Sequence, residues 1–498
     1  MTALPKKETC ITTGYLYEKL TGEGGRAVIL GLGVSNLPLA RMLVGMGLAS
    51  RTVIRDGKSA EALGDKLAEL VAAGCSADVG RDPVSDLCDR EDMSGTLIFR
   101  SPGIRPDAGE IPETVARGAI LTSEMEWFCG VTPASVFAVT GSDGKTTTTT
   151  LTYLLLSASD EKDGKKTCVG GNIGTPLLDK AEGMTEKDVA VLELSSFQLQ
   201  TMQGPARRAA ITNISPNHLN WHTGMDEYAG AKYNVFGERT ELLVLNSKNA
   251  YSEEAAGKFR GRVIWFTAHN QPEDTFCELT HGRGNSAAIF LRGDSVVYSD
   301  GESETEVLNR KEIILPGIHN VENYMTAIAL TWGLVDVDVI RHTAATFGGV
   351  EHRFEYIRTL DGVKYYNSSI DSSPSRTAAA LSNLDCRPVL ICGGRDKHVP
   401  FDPLAEALFD RASAVVLTGE AAPQIADAIA RVAAGRADGG CGLRVERVDD
   451  FAAAAEKARE LAVPGSAVVL SPACTSFDRF SNFEERGSRF KEIVRSFK

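Results

Sequence analysis

The feature that most constrains the fold of this chain is the segment TGSDGKTT at residues 140–147, which joins two stretches of different character. The residues before it, Val136–Val139, are apolar and partly β-branched, as in a buried strand, and those after it follow a helical pattern. Glycines in such a turn let backbone N–H groups face phosphate oxygens, with Lys145 near the β- and γ-phosphates and Thr146 near Mg²⁺. The glycine that opens the longer Walker pattern is replaced by a valine. The segment therefore predicts a short phosphate loop between a strand and a helix.

A second turn of this kind follows the apolar stretch Ala27–Leu30 near the start of the chain. The sequence GLG at 31–33 supplies two of the three glycines of a dinucleotide-binding fingerprint, but Asn36 occupies the third position. Ser35 is expected to cap the following helix, and Asp56 lies near the offset of a ribose-binding acid. The turn alone leaves three readings open: a nicotinamide site, a site for another nucleotide diphosphate, or a turn without a ligand.

Strand and helix patterns alternate along the whole chain, which predicts an α/β protein with parallel sheets. At ~150 residues per domain, 498 residues correspond to about three domains. We expect three consecutive α/β domains: a Rossmann-like domain over 1–122, a central P-loop ATPase-like domain over 123–350 and a Rossmann-like domain over 351–498. The segment AAIFLRGDSVVY at 287–298 predicts a β-hairpin outside the parallel core. The charged stretch 269–311 around it suggests no function.

Composition limits the partners and the compartment. Lysine and arginine number 53 against 66 aspartates and glutamates, a net charge of −13. Surfaces that bind nucleic acid carry clustered cations, so this balance argues against such a partner. No uninterrupted apolar run reaches the ~18 residues of a membrane span, and the first residues lack the apolar segment of a secretory signal. Ten scattered cysteines without a CxxC pair indicate reduced thiols. We expect a cytoplasmic monomer without a membrane or nucleic-acid partner.

Further motifs follow the phosphate loop in order along the chain. They are GGNIG at 170–174, ELSSFQL at 193–199, His218, Tyr228 with Lys232, Gly317 to Asn323, HRFE at 352–355, SPACTSFD at 471–478 and FEERG at 483–487. The series resembles the Mur ligases, ATP-dependent amide ligases of bacterial peptidoglycan precursor assembly. The resemblance covers nearly the whole chain from about Ala27. SSFQL and the C-terminal motifs are typical of the family member that adds D-glutamate to UDP-N-acetylmuramoyl-L-alanine.

The resemblance implies a reaction, its cofactors and a division of labour among the domains. ATP phosphorylates the carboxylate of UDP-N-acetylmuramoyl-L-alanine, and the amine of D-glutamate attacks the acyl phosphate to give an amide, ADP and phosphate. Phosphoryl transfer of this kind depends on positioning and charge neutralisation, which a glycine-rich loop, a lysine and oxygen-ligated Mg²⁺ provide. The implied cofactors are therefore ATP and Mg²⁺. The domain over 1–122 is expected to bind the UDP-substrate, that over 123–350 ATP, and that over 351–498 the amino acid.

The resemblance also implies roles for individual residues. Those implied in catalysis are Lys145, Glu193, His218, Lys232 and Arg353. Those implied in ATP binding are Gly141, Ser142, Asp143, Gly144, Lys145, Thr146, Thr147, Asn320, Asn323 and Arg353. Those implied in binding the UDP-substrate are Val34, Ser35, Asp56, Gly103, Asn172, Ser195 and His218. Those implied in binding D-glutamate are Ser372, Lys397, Ser476, Phe477 and Phe483. The implied metal ligands are Thr146, Glu193, His218 and, if it is carbamylated, Lys232.

The chain departs from the family pattern at four of its motif positions. Asn217 and Asn220 stand near His218 where the family has aspartates. Ser368 and Ile370 stand where a third-domain motif has an aspartate and a lysine, and Asp371 is a candidate substitute for the acid. Carboxylates beside a metal-bound imidazole orient it and balance its charge, so we expect metal affinity or its pH dependence to differ here.

Three other functions stay open at this point. One is a related ligase with a different amino-acid acceptor, such as another Mur enzyme or a folylpolyglutamate synthetase-like enzyme. Another is a non-catalytic nucleotide-binding paralogue, which the lost aspartates would favour and the intact Lys145, Thr146, Glu193 and Arg353 argue against. The last, an NAD-dependent oxidoreductase, depends on the N-terminal turn alone.

Overall fold

A computed structural model describes residues 12–271, 276–381, 384–397, 399–436 and 442–498 of the chain. The described residues contain three separate sheets and confirm the predicted α/β class. They form two compact units: one runs up to Arg310 and includes Val321–Thr343, and the other comprises Lys311–Asn320 and the residues from Ala344 onward. The first unit contains the first two sheets and the second unit contains the third. The domain boundaries expected after residues 122 and 350 stay predictions.

The first sheet consists of short strands separated by helices. Its strands are β1 (Arg26–Leu30), β2 (Thr52–Asp56), β3 (Ser76–Val79), β4 (Thr96–Arg100) and β5 (Ile120–Thr122). Its helices are α1 (Thr13–Thr21), α2 (Asn36–Gly45), α3 (Ala60–Leu63), α4 (Asp65–Ala72), α5 (Ile111–Ala116) and α6 (Glu124–Val131), with a 3₁₀ turn at Ala49–Arg51. The strands are all parallel, in the order β3-β2-β1-β4-β5. In such a sheet the strand order reverses beside β1, so the loops after β1 and β4 flank the crevice where ligands bind.

The turn after β1 is fixed by an asparagine rather than by a third glycine. Asn36 is buried, and its side-chain amide donates to the carbonyl oxygens of Leu30 at 3.3 Å and Gly31 at 2.9 Å. The expectation that Ser35 caps α2 is wrong, because its hydroxyl makes no cap hydrogen bond within the described structure and its backbone is already helical. The side-chain amide of Asn36, the first residue of α2, connects the helix to the turn instead.

The second sheet is larger and contains the phosphate loop. Its strands are β6 (Ser135–Thr140), β7 (Thr167–Gly171), β8 (Val189–Glu193), β9 (Arg208–Ile211), β10 (Leu242–Asn246), β11 (Arg262–Asn270), β12 (Ser286–Arg292), β13 (Ser295–Ser299) and β14 (Glu304–Asn309). The helices around them are α7 (Lys145–Ser157), α8 (Asp160–Asp163), α9 (Ser196–Leu199), α10 (Met225–Tyr233), α11 (Ala250–Lys258), α12 (Phe276–Leu279), α13 (Ile318–Thr331) and α14 (Val337–Thr346), with 3₁₀ turns at Leu178–Gly183 and Arg310–Glu312. The order is β14-β13-β12-β11-β10-β9-β6-β8-β7, so β6 lies between β8 and β9.

The predicted hairpin is present, but its relation to the parallel core was wrongly predicted. β12 and β13 pair antiparallel, with Arg292 opposite Ser295 as the last pair before the turn. β12 also pairs parallel with β11, so it is the last parallel strand of the same sheet and not part of a separate excursion. Pairing with a strand distant in sequence is invisible to a local alternation pattern, which identified the turn and missed the neighbour.

The third sheet lies in the second unit. Its strands are β15 (Glu355–Leu360), β16 (Val363–Asn367), β17 (Val389–Gly393), β18 (Ala414–Thr418), β19 (Arg444–Arg447) and β20 (Ala467–Leu470). Its helices are α15 (Pro374–Leu381), α16 (Asp402–Arg411), α17 (Ala422–Gly435), α18 (Phe451–Leu461) and α19 (Phe483–Ser496). The order is β15-β16-β20-β17-β18-β19, antiparallel between β15 and β16 and parallel elsewhere.

Apolar burial joins the first two sheets and covers both faces of the third. One hydrophobic cluster runs from Phe99 and Trp127 beside the first sheet to Leu177 and Leu192 beside the second. Two further clusters pack on the third sheet, one around Leu404 and one around Phe490. The cysteines within the described ranges form no disulfide with one another. No helix in the described ranges is long and apolar enough to span a membrane.

Replacing Asn36 tests whether its amide holds the first turn. We expect Asn36→Ala to destabilise the chain by about 1–3 kcal/mol, because the Gly31 carbonyl group loses the donor of this turn and that of Leu30 keeps only the backbone N–H of Ser101. Ser35→Ala is the matched control, since the neighbouring hydroxyl makes no cap bond, and it should leave the thermal unfolding midpoint unchanged. Equal midpoints for both variants would contradict the role given to Asn36.

Candidate active site

The phosphate loop leaves β6 through two glycines that no other residue can replace without strain. Gly141 has φ +149° and Gly144 has φ +77°, conformations that side chains rarely adopt. A Cβ at Gly141 would collide with the hydroxyl of Thr212, and one at Gly144 would collide with the side-chain oxygen of Asn323. The loop follows this path because its backbone passes directly against the side chains of Thr212, which follows β9, and of Asn323 on α13. α7 begins at Lys145, so the first amides of a thirteen-residue helix lie at the end of this loop.

The segment after β9 holds the loop in place. The side-chain oxygen of Asn213 accepts hydrogen bonds from the backbone N–H of Ser142 at 3.1 Å and of Asp143 at 2.9 Å. The hydroxyl of Ser142 lies 3.0 Å from that of Tyr228 on α10 and donates to the carbonyl oxygen of Ser215 at 3.0 Å. The amides of Ser142 and Asp143 are thus engaged by Asn213. The beginning of α7 is the part of the loop best suited to bind phosphate oxygens.

Two lysines meet at one carbonyl group of this loop. Lys145 donates to the carbonyl oxygen of Gly141 at 2.9 Å and to that of Ser142 at 3.0 Å. Lys232, on α10, donates to the same Gly141 oxygen at 2.7 Å and is buried, 1% exposed. Burial, followed by the charge of Lys145, holds the pKa of Lys232 well below its ordinary value. The surroundings therefore favour the neutral amine of Lys232 more than water would.

Glu193 ends β8 beside the loop, in register with Val139 of β6. It is buried, 2% exposed, and one carboxylate oxygen accepts from the side-chain amide of Asn172 at 2.9 Å. The other oxygen, Oε2, is buried without a hydrogen-bond partner among the residues described. Buried charges are normally paired or ligate a metal, so an orphaned carboxylate oxygen at this position is suited to a cation. Ser195, two residues on, uses its hydroxyl and backbone in a capping box with Gln198.

His218 lies on an exposed loop after β9 and has a left-handed backbone, with φ 53°. Partial burial of the ring lowers its pKa, and the charges of Lys145 and Lys232 lower it further, which favours the neutral imidazole. The side-chain oxygen of Asn217 accepts from the backbone N–H of His218 at 2.8 Å. The structure thus brings Lys145, Lys232, Glu193, Asn172 and His218 to one edge of the second sheet.

The donor set at this edge fits Mg²⁺ only in part as the side chains stand. Mg²⁺ prefers oxygen ligands and is commonly bound through one or two carboxylates together with phosphates and water. The orphaned Glu193 oxygen and the Thr146 hydroxyl in the first turn of α7 are of this kind. No group of three or more histidine, cysteine, aspartate or glutamate side chains suited to a metal occurs in the described ranges. An additional anionic ligand, such as a modified Lys232, would improve the fit.

The predicted nucleotide asparagines are both on α13. Asn323 is buried, and its side-chain oxygen accepts from the hydroxyl of Thr148 at 3.3 Å, which ties α13 to α7 beside the phosphate loop. Asn320 donates to the carbonyl oxygen of Pro316 at 2.7 Å. Thr147 follows Thr146 in the first turn of α7. The asparagine nearer the loop is therefore placed by direct contact with it.

The residues predicted to bind the UDP-substrate in the first sheet lie at its carboxyl edge. Val34 is 74% exposed, and Gly103 is exposed in the loop after β4. That loop approaches the turn after β1 closely, since a Cβ at Gly31 would lie 3.1 Å from the Cβ of Ser101. Both carboxylate oxygens of Asp56 accept backbone N–H groups, from Leu32 at 2.7 Å and Lys58 at 2.9 Å. Asp56 therefore lies at the edge of the crevice and stabilises the backbone of the two turns there.

In the second unit, Arg353 is exposed between two residues with left-handed backbones, His352 with φ 62° and Phe354 with φ 48°. Such conformations cost of order 1–3 kcal/mol each and persist only where the surroundings impose them. The carboxylate of Glu355 accepts from the backbone N–H of His352 at 3.0 Å and from Lys491 at 3.1 Å. These contacts fix the backbone on both sides of Arg353.

The residues predicted to bind D-glutamate lie on loops at the carboxyl end of the third sheet and at the start of α19. Lys397 donates to the hydroxyl of Ser372 at 3.3 Å, so these two are in contact. Backbone hydrogen bonds of 2.9 and 3.1 Å join Arg395 to Thr475, which connects the Lys397 loop to the loop of buried Ser476 and 58% exposed Phe477. Phe483 begins α19, and its carbonyl oxygen accepts from Ser369 at 2.8 Å.

Asp371, the candidate substitute for the missing acid, is buried and accepts a hydrogen bond from the Ser471 hydroxyl at 2.9 Å. Burial raises its pKa. The carboxyl group therefore ties the loop after β16 to the end of β20.

Several residues that shape the site were missed by sequence reasoning. They are Asn36, Thr212, Ser215, Arg105 and Glu227. Thr212, Asn213 and Ser215 follow the apolar strand β9, and polar residues at the end of an apolar stretch were an available signal. Arg105 and Glu227 carried no signal, because their partners are far away in sequence.

The fold and the loop define an α/β protein with a phosphate-binding site, and comparison with known proteins makes the class specific. The Mur ligase middle domain matches residues 139–331, and the Mur ligase, glutamate ligase domain matches residues 352–474. The UDP-N-acetylmuramoylalanine--D-glutamate ligase of Ruminiclostridium cellulolyticum is 42% identical over 475 residues, 95% of this chain and 97% of that protein. The protein of the same name from Acetivibrio thermocellus is 41% identical over 473 residues, 95% of this chain and 96% of that protein. This chain belongs to the Mur ligase family.

Solved structures share the fold. A UDP-N-acetylmuramoyl-L-alanyl-D-glutamate--2,6-diaminopimelate ligase superposes with a TM-score of 0.51 at 19% identity, covering 84% of this chain and 86% of the other. UDP-N-acetylmuramate-alanine ligase from Thermotoga maritima superposes with a TM-score of 0.50 at 18% identity, covering 95% of this chain and 100% of the other. At these identities the likeness concerns the fold alone.

Gly141→Ala tests the geometry of the phosphate loop. The added Cβ meets Thr212 in a conformation that alanine rarely adopts, so we expect affinity for a fluorescent ATP analogue to fall at least tenfold. Gly230→Ala on α10 is the matched control, because no described atom outside that helix's own backbone lies within 4 Å of the new methyl group. Unchanged ATP binding by Gly141→Ala would refute the assigned loop path.

Proposed function

We propose that this chain catalyses the ATP-dependent ligation of D-glutamate to UDP-N-acetylmuramoyl-L-alanine through an acyl phosphate, in the cytoplasmic synthesis of peptidoglycan precursors. The observation that carries the proposal is the convergence of a buried, low-pKa Lys232, Lys145 and the orphaned Glu193 carboxylate on one phosphate loop. Relatives with this ligase name at about 41% identity over nearly the full chain support the choice of substrates.

In the proposed mechanism the phosphate loop and the start of α7 bind the triphosphate. Their amides and the ammonium of Lys145 neutralise charge on the phosphate oxygens, and Arg353 adds a planar fork of donors suited to the γ-phosphate. Asn323, beside the loop, is assigned to the adenine base and Asn320 to the nucleotide. Thr146, Glu193, His218 and a carbamylated Lys232 would hold Mg²⁺, which when bound neutralises the charge that develops on the transferred phosphoryl group.

Lys232 has the environment that carbamylation needs. Formation of a carbamate joins the neutral amine nitrogen to the carbon of CO₂ and releases one proton. The lowered pKa of Lys232 favours the neutral amine that reacts, and the product places an anion beside Lys145. Modification therefore places opposite charges side by side and provides the additional oxygen ligand.

Substrate binding is assigned to groups at three places. Val34, Ser35, Asp56 and Gly103 bind the UDP portion, while Asn172, Ser195 and His218 face the muramoyl-alanine portion. Lys397, Ser372, Ser476, Phe477 and Phe483 bind D-glutamate, whose carboxylates need a cation and several donors. A cytoplasmic monomer without nucleic-acid partners completes the proposal.

An assay of phosphate release decides between ligases with different acceptors. We expect ADP and phosphate to form with ATP, Mg²⁺, UDP-N-acetylmuramoyl-L-alanine and D-glutamate, and release to fall to background when any one is omitted. Lys145→Met should lower kcat about 10²–10³-fold, because a cation is removed from the transferred phosphate. Faster turnover with L-glutamate, L-alanine or L-lysine than with D-glutamate would refute the acceptor, and full activity of Lys145→Met would refute the phosphate role.

The proposed carbamate makes activity depend on CO₂ and on the Lys232 side chain. We expect Lys232→Ala to lose at least 99% of its activity and to regain part of it in acetate or formate, whose carboxylates can occupy the vacated position. Lys187→Ala, an exposed lysine of the same unit, is the control and should be unaffected by either acid. Because the carbamate forms reversibly from CO₂, wild-type activity should fall in CO₂-depleted buffer and return with bicarbonate. Failure of both rescues would disprove carbamylation.

A further inference from the structure

Arg105 connects two loops of the first unit that belong to different sheets. The substrate loop, residues 101–107, follows β4 and contains Gly103, and the His218 segment, residues 217–223, follows β9. The guanidinium of Arg105 is held in its own loop by both oxygens of Asp107, at 2.7 and 2.9 Å. From there it donates across to the carbonyl oxygen of Trp221 and, at 3.3 Å, to the carboxylate of Glu227 on α10.

The carbonyl group that Arg105 reaches is part of the turn that places His218. The backbone N–H groups of Trp221 and His222 both donate to the carbonyl oxygen of His218 at 2.9 Å. This turn imposes the left-handed backbone of His218, a conformation of positive φ that is costly for a histidine. A group that anchors Trp221 from outside therefore limits where the His218 side chain can lie.

Glu227 is the common partner of this network. One carboxylate oxygen accepts from Gln200 at 2.7 Å, from the ring of His222 at 3.2 Å and from Arg105, and the other accepts from the backbone N–H of Thr223 at 3.0 Å. Burial acts to raise the pKa of Glu227, but its hydrogen bonds from Thr223 and the charge of Arg105 outweigh this and lower it. The group is thus an anion that draws the His218 segment, α10 and the substrate loop together.

The second ring nitrogen of His222 extends the network towards Glu193. The imidazole is fully buried and lies 3.0 Å from the hydroxyl of Ser196, three residues after Glu193. Phe197 packs against the rings of His218 and Trp221, with centroids 4.9 and 4.6 Å apart. The network therefore spans from the loop assigned to the UDP-substrate to the start of α9 beside the phosphate loop.

We propose that Arg105 and Glu227 are positioning residues that fix the substrate loop against the His218 segment, so that the bound carboxylate and the phosphate-transfer groups are held in register. The inference rests on the proposed function for its substrate and deepens it by naming what aligns the two halves of the site. Asn217 and Asn220 are neutral, so within the described His218 segment and α10 the carboxylate that bonds this segment is supplied by Glu227. Arginine is required because its fork bonds Asp107, Trp221 and Glu227 at once, which a lysine ammonium cannot do at this spacing.

Kinetics of variants test the positioning role. Misplacement by about 1 Å costs roughly 10²-fold in rate, so we expect Arg105→Met and Arg105→Lys each to lower kcat at least tenfold and to raise the KM for the UDP-substrate several-fold. The KM for ATP should stay within twofold, since the phosphate loop has other anchors. Arg117→Met, which removes a largely exposed ion pair with Glu113, is the control and should match the wild type. Wild-type kinetics for Arg105→Lys would overturn the role of the fork.

A double-mutant cycle tests whether Arg105 and Glu227 act together. Glu227→Gln should lower kcat as Arg105→Met does, and the double variant should be no worse than the more impaired single variant, because both changes break one network. Multiplying effects would show that Arg105 and Glu227 act independently and would overturn the proposal.

Amide hydrogen exchange tests, without any substrate, whether Arg105 fixes the His218 segment. In Arg105→Met the amides of residues 221–223 should exchange at least tenfold faster, while those of β6 and the thermal midpoint stay unchanged. Unaltered exchange of the amides of residues 221–223 would refute the proposed contact between Arg105 and the His218 segment, even if activity fell. If the wild type fails to release phosphate with D-glutamate, the proposed function is wrong, and the exchange result alone then decides whether Arg105 fixes the His218 segment.

Discussion

The arrangement of the active site depends on one backbone carbonyl group, that of Gly141, which receives hydrogen bonds from both Lys145 and Lys232. Two ammonium groups that donate to one buried oxygen repel each other, because repulsion at this distance is weakly screened. Lys232 is the more buried of the two, and its burial together with the charge of Lys145 lowers its pKa. The glycine turn thus brings together two lysines in different surroundings, and the more buried one, Lys232, has the neutral form favoured.

The position of the Gly141 carbonyl group depends on the second sheet, which brings the ends of three strands together. β6 supplies the loop, β8 supplies Glu193 in register with it, and β9 supplies the Thr212–Ser215 segment that holds the loop from the other side. None of these contacts is local in sequence. Asn213 lies about seventy residues from the amides that it accepts, and Lys232 lies ninety-one residues from Gly141. Sheet order, more than loop sequence, therefore makes the site.

The sequence was sufficient to predict those features that depend on residues adjacent in the chain. It predicted the α/β class, the phosphate loop between β6 and α7, the turn of the hairpin and the family. It misassigned Ser35 as a cap and separated the hairpin from the parallel strands, because a cap and a neighbouring strand are both defined by hydrogen bonds. It gave no hint of Arg105 and Glu227, which are 122 residues apart and ordinary in their local sequence. Residues whose role is to join elements carry no local pattern to recognise.

The net charge of −13 is compatible with anionic ligands because charge acts locally in such a site. At physiological ionic strength the screening length is about 8 Å, so distant surface carboxylates contribute little at the phosphate loop. In the proposed function, attraction in the first unit depends on the start of α7 and on Lys145. Because these cations are few, an anionic modification at Lys232 is tolerable only if a bound cation accompanies it. The lowered pKa of Lys232 favours its modification to an anion, and the orphaned oxygen of Glu193 belongs to a second buried anion. Both groups therefore prepare the same position for a bound cation.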